Sequence, residues 1–222
     1  MTGFTNRLQS VFQENASCQN AGAMQKYMKD NFPFLGIKTD LRRALLKQVW
    51  QEHKDEVSQH PRKLAKQLYA LPQREYHYCT IEILLKELKK KYRKEDITLI
   101  EFMLVKHSWW DSVDVLAKYM LGDYLKQYPD ETHMVIQRFS DSENMWLNRS
   151  AILFQLGYKK TTDMHILFSE CLKHKHSKEF FIQKAIGWAL REYGKTNPEA
   201  VRDFVNGAGL KPLSEREALK NL

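Results

Sequence analysis

The sequence predicts an all-α protein assembled from stacked helix pairs. Three observations lead there. Only nine glycines and six prolines punctuate 222 residues. Strand-like alternation of apolar and polar residues is nearly absent, whereas i, i+3, i+4 periodicity runs almost throughout. Ionisable residues also intrude into apolar helices at a regular interval, at Asp114, Arg149 and Lys184. That interval is about 35 residues, the length of a helix-pair repeat.

The periodic stretches cover roughly 4–15, 18–30, 39–53, 61–70, 73–92, 95–104, 110–127, 131–140, 143–157, 161–174, 178–193, 197–206 and 214–221, with ends uncertain by about two to four residues. Some starts have evident chemistry. Thr39 and Asn197 are suited to accept hydrogen bonds from the open first turn of a helix, and Pro198 suits a first helical position. Ser214 followed by Glu217 has the spacing of a capping box. Short links between short helices imply antiparallel neighbours, hence an all-α array. Around the intruding ionisable residues, aromatic positions recur: Trp109-Trp110, then Met145-Trp146, then Phe180-Phe181. In a stack of repeats, equivalent faces line one concave surface, so these polar residues are expected to form a row there. The expectation is one domain over 1–222, with helices of about 1–53 as an atypical end cap.

Composition narrows the function. Hydrophobic residues make up 43%, aromatics 12% and charged residues 28%, which fits a folded chain rather than a disordered one. Lys+Arg exceed Asp+Glu by 35 − 27 = +8, pointing to a polyanionic partner. No apolar run reaches the ~20 residues of a membrane span. The opening Met1-Thr2-Gly3-Phe4-Thr5-Asn6-Arg7 lacks a signal-peptide core. The odd, scattered set Cys18, Cys79 and Cys171 suggests three buried or inert thiols in a reducing cytoplasm, not a disulfide framework.

The run Ser108-Trp109-Trp110-Asp111-Ser112-Val113-Asp114 carries the most chemistry. Trp110 and Asp114 share one helical face. A carboxylate among Val113, Val115 and Leu116 is costly unless it is paired or lines a wet cleft. Lys184, Trp188 and Arg191 share another face, and Arg149 lies one repeat between them. The cations suit phosphates, Arg as a fork and Lys as a point charge. Arg42, Arg43, Lys47, Lys106 and Lys159 are further basic candidates.

The lone acid in a basic groove needs its own reason. Breaking an N-glycosidic bond generates an oxocarbenium-like sugar. A carboxylate ~4 Å away contributes on the order of 4 kcal/mol at an effective dielectric of 20, about three decades in rate. Each indole face adds ~0.5–2 kcal/mol. Ordinary glycosidases need a second carboxyl group to protonate the leaving group, and no partner acid is evident on this face. An N-alkylated purine is already cationic and departs neutral, so one carboxylate suffices for it. Spacing alone leaves a second reading open, in which Asp114 simply pairs with Arg149. Cys171, His174 and His176 lack metal-type spacing, and Gly36, Gly122, Gly157 and Gly187 are isolated, so neither a metal site nor a phosphate loop is expected. Trp50 and Trp146 read as packing residues.

The same segments resemble the AlkD-type bacterial DNA alkylation repair glycosylases. The likeness runs through 108–114, Trp146-Leu147-Asn148-Arg149-Ser150-Ala151-Ile152-Leu153-Phe154-Gln155-Leu156, the stretch from Lys178 to Tyr193, Leu213–Ala218, Tyr27-Met28-Lys29 and Phe34-Leu35-Gly36-Ile37. The resemblance implies HEAT-like repeats in a C-shaped solenoid around duplex DNA, and release of 3-methyladenine and 7-methylguanine with the lesion left stacked rather than flipped. It also implies roles: Asp114 stabilises the sugar cation and positions water, Trp110 and Trp188 pack on the deoxyribose, Arg149 holds the lesion strand and Tyr27 approaches the helix. A monofunctional glycosylase without cofactor or metal, working as a monomer on alkylated double-stranded DNA in the cytoplasm and away from membranes, is the first expectation. A non-catalytic HEAT-repeat module for distorted or branched DNA is the second, and a protein-binding scaffold the third.

Overall fold

The computed structural model describes residues 3–222; Met1 and Thr2, part of the opening segment read above, lie outside the described residues. All regular structure among the described residues is helical. Two compact units divide the chain, residues 1–91 and 92–222.

The first unit comprises α1 (Gly3–Glu14), α2 (Cys18–Tyr27), α3 (Thr39–Glu52), α4 (Lys54–Gln59), α5 (Pro61–Tyr69) and α6 (Arg74–Glu87). Phe4, Leu8 and Phe12 bring one face of α1 into a core with Leu46, Val49 and Ile83. The loop before α3 is tied by a buried acid: Glu75 accepts hydrogen bonds from the N–H groups of Leu35, Gly36 and Ile37 at 3.1, 2.8 and 3.2 Å. Gly36 sits at φ +84, and a Cβ there would meet the Ser17 carbonyl oxygen at 2.1 Å, so only glycine fits. Thr39, expected as a cap, is instead the first helical residue; Lys38 occupies the cap position without a side-chain bond. The α4 helix is missing from the periodic stretches, being too short to show a period. Helix α6 ends before the expected 92, and Lys90 beyond it is left-handed at φ 59.

The second unit comprises α7 (Asp96–Val105), α8 (Trp110–Val115), a π-helical segment (Leu116–Leu121), α9 (Gly122–Gln127), α10 (Thr132–Ser140), α11 (Met145–Leu153), α12 (Met164–His174), α13 (Phe180–Gly194), α14 (Pro198–Ala208) and α15 (Pro212–Ala218). Single-turn 3₁₀ segments at Pro129–Glu131 and Lys159–Thr161 lie between them. The expected helix over 110–127 is therefore continuous but widened to π in its middle, a feature that often marks functional sites. Asn197 caps α14 through Ala200 N–H at 3.2 Å, with Pro198 next, as expected.

The 35-residue interval is visible as bonding within this unit. Gln127 bonds Tyr92, Arg149 bonds Asp114, Tyr158 bonds the Gly122 carbonyl and Ser140 bonds His174, at separations of 35, 35, 36 and 34 residues. Each helix pair thus offers a polar side chain to the next, while apolar faces such as Ile152, Leu167, Ile186 and Leu190 build the shared core.

Candidate active site

The turn from α7 into α8 separates two neighbouring tryptophans. His107 is left-handed at φ 56, Ser108 Oγ donates to the Leu104 carbonyl at 2.6 Å and Trp109 is extended. Trp109 therefore points into an aromatic cluster, 5.8 Å from Trp146 and 5.4 Å from Phe181 between ring centres. Trp110, the first residue of α8, lines a cleft instead. Asp114 follows one turn later on the same wall.

That cleft has a volume of about 360 Å3 and is lined by Trp110, Asp114, Arg149, Phe180, Phe181, Lys184, Trp188, Arg191 and Glu217. The row expected from the repeat is thus brought together: Asp114, Arg149 and Lys184 share one cleft with both predicted indoles. Phe180, 58% exposed, stands at its edge with its ring against Phe181.

Asp114 and Arg149 form a two-pronged pair. Arg149 Nε donates to Oδ1 at 2.7 Å and Nη2 to Oδ2 at 2.9 Å, while Nη1 donates to the Phe181 carbonyl. The arginine side chain is 5% exposed and the aspartate 14%. Burial pushes the Asp114 carboxyl above the ordinary carboxylate value, the Arg149 hydrogen bonds and charge pull it back, and nearby Asp111 adds to the rise. A bidentate arginine occupies two of roughly four lone-pair sites of a carboxylate, and the others can serve a group in the cleft. Asp114 is thus paired with Arg149 and at the same time lines a cleft. Arg149, expected on the DNA backbone, is largely buried at the cleft wall, where its bonded partners are Asp114 and the Phe181 carbonyl.

A second carboxylate was missed. Glu217 lines the same cleft, 16% exposed, with Oε1 2.9 Å from Lys184 Nζ and Oε2 2.8 Å from Arg191 Nη1. Arg191 Nη1 also donates to the Glu217 carbonyl at 3.0 Å. Those two cations hold the Glu217 carboxyl down at about 2. The capping-box reading of Ser214 and Glu217 is thereby corrected: α15 starts at Pro212 with Lys211 as cap, and Ser214 Oγ donates to the Gln183 carbonyl at 3.0 Å. The sequence signal was present in the spacing, because Glu217 falls about one repeat beyond Lys184. Gly187 makes the approach possible, since a Cβ there would lie 2.4 Å from Glu217 Cβ.

The remaining basic candidates are dispersed. Lys106 ends α7, 5.4 Å from the Phe102 ring, and Lys159 borders a small space beside Gln155 and Tyr193; neither lines the cleft. Within the first unit, Arg43 and Lys47 line a groove of about 520 Å3 with Trp50, Lys54, Glu82 and Lys86. Lys86 Nζ lies 4.5 Å from the Trp50 ring centre, and Arg43 pairs with Glu82 at 3.0 Å. Arg42 is not a surface cation: it is 4% exposed and bonds Glu82 at 2.8 Å. Tyr27 is 67% exposed at the end of α2. Cys79 and Cys171 are buried and Cys18 is exposed. Among the described residues no group of three His, Cys, Asp or Glu could hold a metal ion, and no helix is long and apolar enough to cross a membrane.

Comparison with known proteins adds the family. The model of a family described as DNA alkylation repair enzyme matches residues 8–222. A solved structure described as a predicted DNA alkylation repair enzyme from Enterococcus faecalis is 33% identical, with a TM-score of 0.83, over 93% of this chain and 96% of that one. Among curated proteins nothing matches. A family match across nearly the whole length, together with a solved relative at this identity, places the chain: it belongs to the DNA alkylation repair enzyme family.

Proposed function

We propose that the protein is a monofunctional DNA glycosylase that hydrolyses the N-glycosidic bond of cationic alkylpurines, of the 3-methyladenine and 7-methylguanine type, in duplex DNA. The observation that carries this reading is Asp114, a half-enclosed carboxylate held by Arg149 in a cleft walled by Trp110 and Trp188. As the bond breaks, its electron pair leaves with the purine, which departs neutral. The sugar becomes cationic, and the Asp114 charge with the two indole faces stabilises it. Water then adds to the sugar carbon. A carboxyl group raised by burial is a better proton acceptor than an ordinary one, so Asp114 takes the proton that water releases.

The second carboxylate does not alter the leaving-group argument. Glu217 is held ionised by Lys184 and Arg191, so it has no proton to give a departing base. Lys184 and Arg191, in the same cleft, face the DNA backbone. In this proposal the HEAT-like repeats act as one domain, with 1–53 as end cap and the lesion left stacked, and Tyr27, Arg43, Lys47, Lys106 and Lys159 contact the duplex outside the cleft. With about six phosphate contacts, log affinity falls against log salt with a slope near −5.

Incubation of methylated duplex DNA with the protein, followed by quantification of free bases, tests the reading. Release of methylated purines is expected from the unmodified chain, and Asp114→Asn is expected to lose about three decades of rate. Trp110→Ala and Trp188→Ala should each lose about two- to thirtyfold. Equal release by Asp114→Asn removes the acid from the mechanism. Binding of distorted duplex with no release from any substrate favours the non-catalytic module.

A further inference from the structure

Glu217 has no role in the chemistry proposed above, and it stands where it should do harm. A cleft that receives a polyanion gains nothing from a permanent negative charge. Yet several independent features hold that charge in place. Gly187 lacks the Cβ that would collide with Glu217 Cβ at 2.4 Å and with the Ser214 carbonyl at 2.9 Å. Arg191 Nη1 grips both the backbone carbonyl and Oε2 of Glu217, at 3.0 and 2.8 Å. Lys184 takes Oε1 at 2.9 Å, and the Ser214 hydroxyl ties α15 to α13. A glutamate that served only to solvate the surface would need none of this.

Lys184 and Arg191 are the cations on this wall best placed for a phosphate, being 37% and 25% exposed where Arg149 is interior. Each already bonds one oxygen of Glu217. A carboxylate and a phosphate seek the same donors. With Glu217 in place the three residues sum to +1 instead of +2, and an arriving phosphate must share donors with a like charge.

We propose that Glu217 is a specificity-determining residue, its carboxylate standing in for a DNA phosphate between Lys184 and Arg191 and so restraining the binding of undamaged duplex. The inference rests on the DNA reading above. Undamaged DNA offers this cleft only its backbone, and that attraction is reduced by Glu217. A cationic lesion brings a positive charge that Asp114 attracts, so the damaged site gains relative to the rest.

The test is fluorescence anisotropy of an undamaged labelled duplex titrated with protein across a series of salt concentrations. Glu217→Gln is expected to bind about three- to tenfold more tightly at 0.1 M salt, with a log–log slope steeper by about one. Lys184→Gln alone is expected to change affinity less than about twofold, because Lys184 is already occupied, yet to abolish most of the gain when combined with Glu217→Gln. A Glu217→Gln protein that is folded, as read by cooperative thermal unfolding, and binds equally or more weakly overturns the proposal. So does a full unit of salt slope lost by Lys184→Gln alone, which is informative even if the glutamate variant does not fold. Base release is read separately: its absence with binding intact sinks the excision reading only, whereas absence of duplex binding by the unmodified chain overturns both.

Discussion

The cleft holds two carboxylates, almost equally exposed at 14% and 16%, whose titrations move in opposite directions. Asp114 is raised and Glu217 is lowered to about 2. The difference lies in which influence is largest. For Asp114 it is burial, opposed by a single arginine and reinforced by a nearby aspartate. Glu217 takes hydrogen bonds from both an arginine and a lysine, and these outweigh its desolvation. One acid is drawn towards its protonated form and the other away from it, the kind of division that lets similar groups serve different ends within one site.

The sharpest way to break this comparison is to neutralise each acid in turn. Asp114→Asn should remove about three decades of base release, while Glu217→Gln should leave the chemical step near its original rate and change DNA binding instead. Single-turnover rates on methylated duplex at saturating protein separate the two. Equal losses at both positions would mean that the two acids share one role.

Removing the partner rather than the acid comes next. Arg149→Gln strips Asp114 of the cation that opposes its rise. The acid limb of the pH–rate profile should therefore move to higher pH, with a loss of activity at neutral pH that is partly recovered in more alkaline buffer. Breaking a buried ion pair should also cost about 3–5 kcal/mol of stability. Denaturant unfolding measures the second effect and the pH profile the first. A variant that is less stable but keeps its acid limb would show that Arg149 supports the fold without tuning Asp114.

How much of this was legible in the sequence depends on whether a residue's role follows from its own helix. Trp110 and Asp114 lie one turn apart, so their shared face follows from helical geometry alone. The Asp114–Arg149–Lys184 interval also brings its three side chains to one cleft. Arg149 shows the limit: its spacing left both a pair with Asp114 and a place on the DNA backbone open, and only the folded chain shows the pair. Glu217 was hidden by a plausible local motif, since Ser214 and Glu217 have capping-box spacing. Pro212 starts the helix earlier, which frees both side chains for α13. The π segment left no trace in periodicity, because one wider turn barely shifts an apolar stripe. The grouping of the first unit's basic residues around Trp50 was likewise beyond any single-helix pattern.

A smaller perturbation probes how Glu217 is placed. Gly187→Ala introduces a methyl group 2.4 Å from Glu217 Cβ and 2.9 Å from the Ser214 carbonyl. Helix α15 must move, at about 1–3 kcal/mol typical of overpacking. Thermal unfolding should show the loss, and duplex binding should tighten in the manner of Glu217→Gln because the carboxylate is drawn off its cations. Destabilisation without a change in binding would separate α15 packing from the placement of the charge.

The smallest effect is the pH dependence of stability, where the two acids work against each other. Glu217 has a folded value near 2 against an ordinary 4.5, so its ion pairs stabilise the folded state fully above about 4.5. That contribution is lost as pH falls from there towards 2. Asp114 has a raised folded value, so the folded state holds its proton more tightly than the unfolded chain does. Its titration therefore lowers stability as pH rises from the ordinary 3.8 to the raised value. In the unmodified protein the two windows meet near pH 4, so stability rises with pH below it through Glu217 and falls above it through Asp114. Subtracting the profile of Glu217→Gln removes the Asp114 contribution, which is common to the two proteins. The difference should be about 1 kcal/mol or less, given the exposure of the lysine and arginine. It should be constant above pH 5 and shrink on acidification, as read by urea unfolding at a series of pH values. A difference that instead grew towards low pH would mean that Glu217 gains its proton more readily in the folded state, and the two acids would then be alike.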